Sequence, residues 1–257
     1  WNYSRMWLSM RQGFSPRVSL YARLPYVRAS MQPVIGRPTT TVAMGDVHTG
    51  LVYQPWSASP HSVAFSLDLK SPSGVEWTQG TGSAADTQSF LTGTGLTNLA
   101  FITHGKAVFS DHLSVAADVG YVRKFPGVVG YVVEVGGFGN GVLNAGDELN
   151  IGTQFTGQLG PVVWLRTSLA YRYLTESWLG VNGPLGARIM RPVRHSAGGW
   201  LVSEFAVGIE PTNRWTVELR VNRDIMGGDS RPFAHLGLEE LSPQPGLGLG
   251  VGVVGRW

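Results

Sequence analysis

The feature that most constrains this chain is a two-residue alternation of apolar and polar side chains that recurs along its length. Between residues 17 and 26 one face carries Val18, Leu20, Ala22, Leu24 and Tyr26, while the other carries Arg17, Ser19, Tyr21, Arg23 and Pro25. That period belongs to a β-strand with one face in an apolar environment. It returns as Val63, Phe65, Leu67 and Leu69 against Ser62, Ala64, Ser66, Asp68 and Lys70, and as Trp215, Val217, Leu219 and Val221 against Thr216, Glu218, Arg220, Asn222 and Asp224. Eleven segments show it, near residues 3 to 13, 17 to 27, 44 to 56, 61 to 71, 97 to 109, 112 to 124, 147 to 158, 161 to 174, 199 to 210, 214 to 225 and 246 to 257. They exceed the roughly 5 to 6 residues of ordinary soluble strands and suit the roughly 9 to 11 that a tilted strand needs to cross a bilayer. The spacing of an amphipathic helix is hard to find. The chain reads as all-β, in one domain over residues 1 to 257.

The connections give a second signal. Residues 13 to 16, 57 to 60, 110 to 111, 159 to 160 and 211 to 213 are tight turns rich in Gly, Pro, Ser, Asp and Asn. Between them lie long segments, 28 to 43, 72 to 96, 125 to 146, 175 to 198 and 226 to 245. Short turns at one end and long loops at the other describe an antiparallel up-and-down barrel of the outer-membrane kind, with periplasmic turns and extracellular loops.

Composition agrees. Charged residues are 14% of the chain, against roughly 25% in soluble domains, and a mean hydropathy of +0.02 is what two opposite faces average to. No apolar run approaches the ~20 residues of a membrane helix. The absence of cysteine removes disulfides, thiolate metal sites and a thiol nucleophile. Basic residues are spread out under a net charge of +3, so nucleic acid is not an expected partner.

Period two alone also fits a soluble barrel with an apolar interior, so the content of the faces decides. The apolar face reads as free of Asp, Glu, Lys and Arg, with a girdle of Tyr26, Tyr53, Tyr121, Tyr171, Tyr173, Trp215 and Trp257 toward its ends. It is expected to meet the lipid bilayer. The polar face is expected to line a lumen, with a basic wall of Arg5, Arg11, Arg17, Arg23 and Arg256 and an acidic wall of Glu204, Glu210, Glu218 and Asp224. Asp46, His48, Asp68, Lys70, His104, Lys106, Asp118, Arg166, Arg172 and Arg220 complete the expected lining. Separated walls leave a field across a hydrated pore, whereas touching walls close it.

Gly13-Phe14-Ser15-Pro16-Arg17-Val18-Ser19-Leu20, Leu24-Pro25-Tyr26-Val27, Gly45-Asp46-Val47 and Leu69-Lys70-Ser71-Pro72-Ser73-Gly74, extended by Gly93-Thr94-Gly95-Leu96-Thr97, carry a resemblance. Over roughly the first half, the chain resembles the bacterial outer-membrane barrels called "meta-pathway of phenol degradation" proteins. Lys70-Ser71-Pro72 departs from that family's commoner Leu-Pro-Thr-Gly. The aromatic Trp257 resembles the C-terminal residue that the barrel-insertion machinery reads in outer-membrane proteins. The resemblance implies one barrel of about twelve strands that passes small molecules, and it supplies no catalytic residues. Bacterial single-chain barrels have even strand numbers. Eleven segments therefore predict either a further strand, upstream of Trp1 or overlooked, or a barrel of ten.

No enzyme motif, cofactor site or metal site is read. His48 and His104 face the polar side, but no local pattern joins either to a Ser and an acid in a triad. In His61-Ser62 and His195-Ser196, adjacency on a strand points the two side chains apart. Gly136 to Gly141 reads as a mobile loop, because no Lys-Ser/Thr or helix follows as in a phosphate loop. The loop acids Asp86, Asp147 and Asp229 lack calcium-loop spacing. Two readings remain. One is a channel for passive passage of small polar, anionic or aromatic solutes. The other is a non-conducting barrel that anchors, or is a subunit of, an assembly with other outer-membrane or surface proteins, using partly apolar loops at residues 128 to 135 and 179 to 190.

Overall fold

The structure, a computed structural model, describes residues 2–31, 39–73, 76–79, 88–91, 96–133, 137–182, 188–193, 197–212, 215–227 and 247–255. In chain order the strands are β1 (Asn2–Gly13), β2 (Val18–Met31), β3 (Thr39–Met44), β4 (Val47–Ala58), β5 (His61–Ser71), β6 (Glu76–Gln79), β7 (Gln88–Leu91), β8 (Asn98–Ser110) and β9 (Leu113–Lys124). They continue as β10 (Gly127–Val133), β11 (Gly137–Asn144), β12 (Glu148–Gln158), β13 (Val163–Leu174), β14 (Trp178–Asn182), β15 (Arg188–Pro192), β16 (Gly198–Thr212), β17 (Trp215–Gly227) and β18 (Leu247–Gly255). The described residues contain no helix.

The main sheet has twelve strands, running β1-β2-β4-β5-β8-β9-β12-β13-β16-β17-β18 with β3 also paired to β2, and every pairing is antiparallel between neighbours in this order. This is an up-and-down barrel wall. β3 continues the line of β4: β2 pairs β4 up to Arg23↔His48 and resumes with β3 at Tyr26↔Met44. Residues Leu24 and Pro25 therefore face Gly45, Asp46 and Val47, an extra residue that bulges the wall. Pro25 has no N–H for the ladder, and its carbonyl instead accepts from Gly45 N–H at 2.9 Å. Counting β3 and β4 as one, eleven runs form the wall, at the places where the alternation put them.

Among the described residues, one face of the long strands from β1 to β17 is exposed and mainly apolar. Leu20, Leu51, Leu67, Phe101, Val119, Ile151, Phe155, Leu169, Phe205 and Leu219 all lie open on it. Water-soluble monomers rarely expose contiguous apolar patches beyond a few hundred Å², and a band of large apolar side chains on strand after strand suits lipid instead. The opposite face is concave. Tyr21 on β2 hydrogen-bonds Asp68 on β5 across Gly50 of the intervening β4, and Arg166 on β13 reaches Glu218 on β17 across β16.

Three expectations are corrected here. The segments after β9 and β13 are not simple loops. β10, β11, β14 and β15 form a four-stranded sheet whose neighbour order repeats that of β9, β12, β13 and β16, so the wall continues past a break. Of the stretch from 136 to 141, expected to be a mobile loop, residues 137 to 141 belong to β11 (Gly137–Asn144) of that sheet, and the apolar stretches at 128 to 135 and 179 to 190 contribute β10, β14 and β15. The segment before β8 similarly holds the hairpin β6-β7.

The break itself is tied together. Gly146 N–H donates to Ser177 Oγ at 2.8 Å, Thr175 N–H to Asp147 O at 2.9 Å, and Val193 N–H to Ser177 O at 2.9 Å. Leu143, Ala145, Leu174, Leu179 and Val193 are buried beside these bonds in sequence. A Cβ on Gly146 would collide with the Thr175 carbonyl, so only glycine fits that approach.

The third correction concerns the outward face, which is not free of charge. Arg123 and Arg223 both lie on it, each continuing the alternation toward the long-loop end of its strand.

Candidate functional site

The inward face holds the charged residues, and the strand registers decide which of them meet. On β13, β16 and β17 the expected acidic wall is not unopposed. Arg166 Nη2 donates to Glu218 Oε1 at 2.6 Å and to Glu204 Oε1 at 3.3 Å, and Arg220 also pairs with Glu218. Arg166 and Arg220 flank Ala206 in the register, and this interleaves the two cations with the two carboxylates. Glu218 is buried, and the two guanidinium groups supply its hydrogen-bond and charge partners. Trp164, an inward aromatic that alternation with Arg166 places but composition does not flag, lies under the Arg166 guanidinium at 5.2 Å. It fills the space over Gly208, where a Cβ would strike the indole. Glu210 accepts from Thr216 Oγ1 at 3.4 Å near the turn end.

The basic side differs. Arg11 Nε donates to Ser19 Oγ at 2.9 Å, and Arg23 lies 5.0 Å over the Tyr21 ring. Arg17 sits exposed at the tight turn, where its N–H donates to Ser15 Oγ at 3.2 Å. Among the described residues no carboxylate lies within 4.0 Å of these three arginines. All three belong to the β1-β2 hairpin and its turn, and Arg5 is opposite Val27 in the register. Asp224 is placed by its register opposite Val202. Arg256 and Trp257 lie outside the described residues, as do His195, Asp86 and Asp229.

Elsewhere on this face, Lys70 pairs with buried Asp46 at 3.0 Å beside the bulge, and His48 stands between Arg23 and Lys70 in the register. Lys124 meets Glu148 at 3.5 Å. Lys106 and Arg172 are exposed on the inward face, opposite Ala116 and Asn150 respectively.

One grouping was invisible in the sequence. His104 Nδ1 stands 2.5 Å from Asp118 Oδ1, and its Nε2 stands 3.2 Å from Ser66 Oγ. With Asp118 accepting at Nδ1, a neutral imidazole carries its hydrogen there and its Nε2 accepts from the serine. Ser, His and Asp thus stand in triad order. A nucleophile also needs donors for the oxyanion. Ser66 pairs with Val52 on one side and Ile102 on the other, and neighbouring residues of β5 are likewise paired, so the backbone N–H groups there serve the ladder. Ser66 is 4% exposed. The grouping is a satisfied polar cluster in the wall.

Of the expected girdle, Tyr26, Tyr121, Tyr171 and Tyr173 are exposed on the outward face toward the long-loop end, and Tyr53 and Trp215 toward the turn end. No group of three His, Asp or Glu suited to a metal occurs among the described residues. Asp147, considered above as a loop acid, is instead bound by protein donors. Its Oδ2 accepts from Tyr121 OH at 2.5 Å and Arg123 Nη1 at 2.7 Å, and its Oδ1 from Lys124 N–H at 3.2 Å. Partial burial, the largest single influence, pushes the Asp147 carboxyl up. The hydrogen bonds from Tyr121, Arg123 and Lys124, helped by the Arg123 charge, outweigh it and leave the carboxyl below its ordinary value.

An apolar outside, a charged inside, short turns at one end and built-up connections at the other define a transmembrane antiparallel β-barrel of the outer-membrane kind. No protein-family model matches the chain, and no curated protein is similar to it in sequence. Among solved structures it is similar to the COG4313 outer membrane channel from Pseudomonas putida F1, with 10% identity and a TM-score of 0.68, over 98% of this chain and 82% of that one. It is also similar to the KdgM porin, with 12% identity and a TM-score of 0.49 over 88% of this chain and 90% of that one. For the NanC porin the figures are 10% and 0.48, over 98% and 99%. What the first likeness shows is a shared fold.

Proposed function

We propose that this chain is an outer-membrane channel for passive passage of small solutes, with its inward face lining a narrow lumen that favours anions. The long connections face the cell exterior and the short turns the periplasm. The observation that carries the anion preference is the asymmetry of pairing. Glu204 and Glu218 are matched by Arg166 and Arg220, while Arg11, Arg17 and Arg23 have no carboxylate partner among the described residues. Their uncompensated charge raises the local concentration of small anions on one side of the lumen. Tyr21, half-buried on the same face beside Arg23, suits aromatic carboxylates within that class. A wall of about twelve strands falls between filled eight-strand barrels and open sixteen-strand porins, so the passage is narrow. The turn motif of residues 13 to 18 and the Gly45-Asp46-Val47 bulge support kinship with the phenol-degradation family.

Single-channel recording in a planar bilayer tests this reading: stepwise conductance is expected, and its absence from folded protein would refute it. The alternative of an anchor or assembly subunit draws support from the second sheet, which exposes Val128, Trp178 and Met190 beyond the barrel wall. Co-purification of a stoichiometric partner with a non-conducting barrel would favour it.

A further inference from the structure

We propose that Arg123, held by Asp147 and standing just beyond Tyr121, is a docking point for the phosphate of a membrane lipid headgroup at the long-loop rim. The inference rests on the outward face meeting a bilayer, as proposed above. Arg123 is on that outward face, and β9 ends one residue later at Lys124. A cation on the lipid face of a barrel is costly at the bilayer midplane and nearly neutral at the interface. An outward arginine at this position therefore belongs at headgroup level.

Its charge is held but not used up. Nη1 donates to Asp147 Oδ2 at 2.7 Å, yet the side chain remains 54% exposed and the guanidinium carries more N–H donors than this one bond uses. Asp147 is in turn occupied by Tyr121 OH and Lys124 N–H, and its own N–H donates to Thr175 Oγ1 at 2.8 Å. The carboxylate thus fixes the guanidinium and is itself engaged on both oxygens. A fork fixed in advance loses little freedom on binding and suits an oxyanion.

The surface next to it says which phosphate. Tyr121, Leu149 and Tyr173 lie side by side across β9, β12 and β13, at 48%, 39% and 41% exposure. They offer apolar contact to acyl chains immediately below the cation. One exposed arginine gives free phosphate little reason to leave water, whereas a lipid gains acyl burial from the same contact. The turn-end rim contrasts, with exposed Phe14, Trp56, Phe109 and Leu159 in place of an arginine on a tyrosine belt.

The test measures the thermal unfolding midpoint of the full chain in a zwitterionic detergent with added bis-phosphorylated lipid A, dephosphorylated lipid A or inorganic phosphate. Phosphorylated lipid should raise the midpoint most. Arg123→Gln should lose roughly half or more of that shift, and Arg123→Lys, which keeps charge without the fork, should fall between. Dephosphorylated lipid should act on the native chain as phosphorylated lipid acts on Arg123→Gln, and inorganic phosphate should do nothing. Equal responses of native and Gln chains, equal responses to the two lipids, or a response to inorganic phosphate alone would overturn the phosphate site while leaving the membrane placement intact. No response to any lipid would overturn both. If Arg123→Gln fails to fold, the Lys variant and the lipid comparison on the native chain still decide.

Discussion

Glu218→Gln tests whether the paired quartet on β13, β16 and β17 is an energetic unit. The carboxylate is 9% exposed and lies 2.6 Å from Arg166. At that distance and an effective dielectric of ~20, the gross attraction is about 6 kcal/mol. Desolvation cancels part of this, and breaking a buried pair of this kind costs about 3–5 kcal/mol. The amide oxygen of Gln still accepts from Arg166, which returns about 1 kcal/mol. The expected net loss is therefore about 2–4 kcal/mol. Denaturant unfolding in detergent, followed by intrinsic tryptophan fluorescence, measures it. A double-mutant cycle with Arg166→Gln isolates the pair, and a coupling of about 2 kcal/mol is expected from residues in direct contact. Additivity of the two substitutions within about 0.5 kcal/mol would refute the reasoning. The same substitution leaves Arg166 with Glu204 and takes from Arg220 its carboxylate partner, so it should also increase the preference for anions.

Other outcomes follow from the same geometry. Replacing Arg11, Arg17 and Arg23 together by Gln should move the reversal potential in a salt gradient toward the cation side while leaving the fold unchanged, since none holds a carboxylate among the described residues. Gly146→Ala should cost about 1–3 kcal/mol, because a Cβ meets the Thr175 carbonyl, and proteolysis should then cut more readily near residues 145 to 147. The Asp147 carboxyl is held below its ordinary value, so its contribution is full above the unfolded value of about 3.9 and is lost as pH falls through the lower folded value. Native chain and Asp147→Asn should accordingly differ in unfolding midpoint near neutral pH and converge in strong acid. Ser66 should resist a fluorophosphonate probe; labelling that disappears in Ser66→Ala would show that the cluster with His104 and Asp118 is reactive after all.

The wall was legible because a half-lipid, half-aqueous strand must alternate, and residues 17 to 26 or 61 to 71 do so without interruption. The second sheet was not legible for the converse reason. β10 carries Val at both parities, β11 places Gly at one parity and both Phe138 and Asn140 at the other, so neither alternates apolar with polar, and β14 and β15 are five residues each, too short for a period to stand out. Arg123 was within reach, since it is the next outward position after Tyr121, but treating the apolar face as ending at the tyrosine hid it. Trp164 was equally within reach by its parity with Arg166. The Ser66–His104–Asp118 cluster and the pairing of Arg166 with Glu218 depend on how β5, β8 and β9, or β13, β16 and β17, slide against one another. Register is set by cross-strand contacts, and a single strand's alternation does not contain it. That is why the charged residues could be assigned to a face while an acidic wall was expected where the structure has a compensated ladder.

The most direct test of the account is the reversal potential of single channels in a planar bilayer under a potassium chloride gradient. The account predicts small, stepwise currents whose reversal potential lies toward the chloride equilibrium value. Folded, inserted protein that passes no current, or that reverses toward the potassium value, would contradict it.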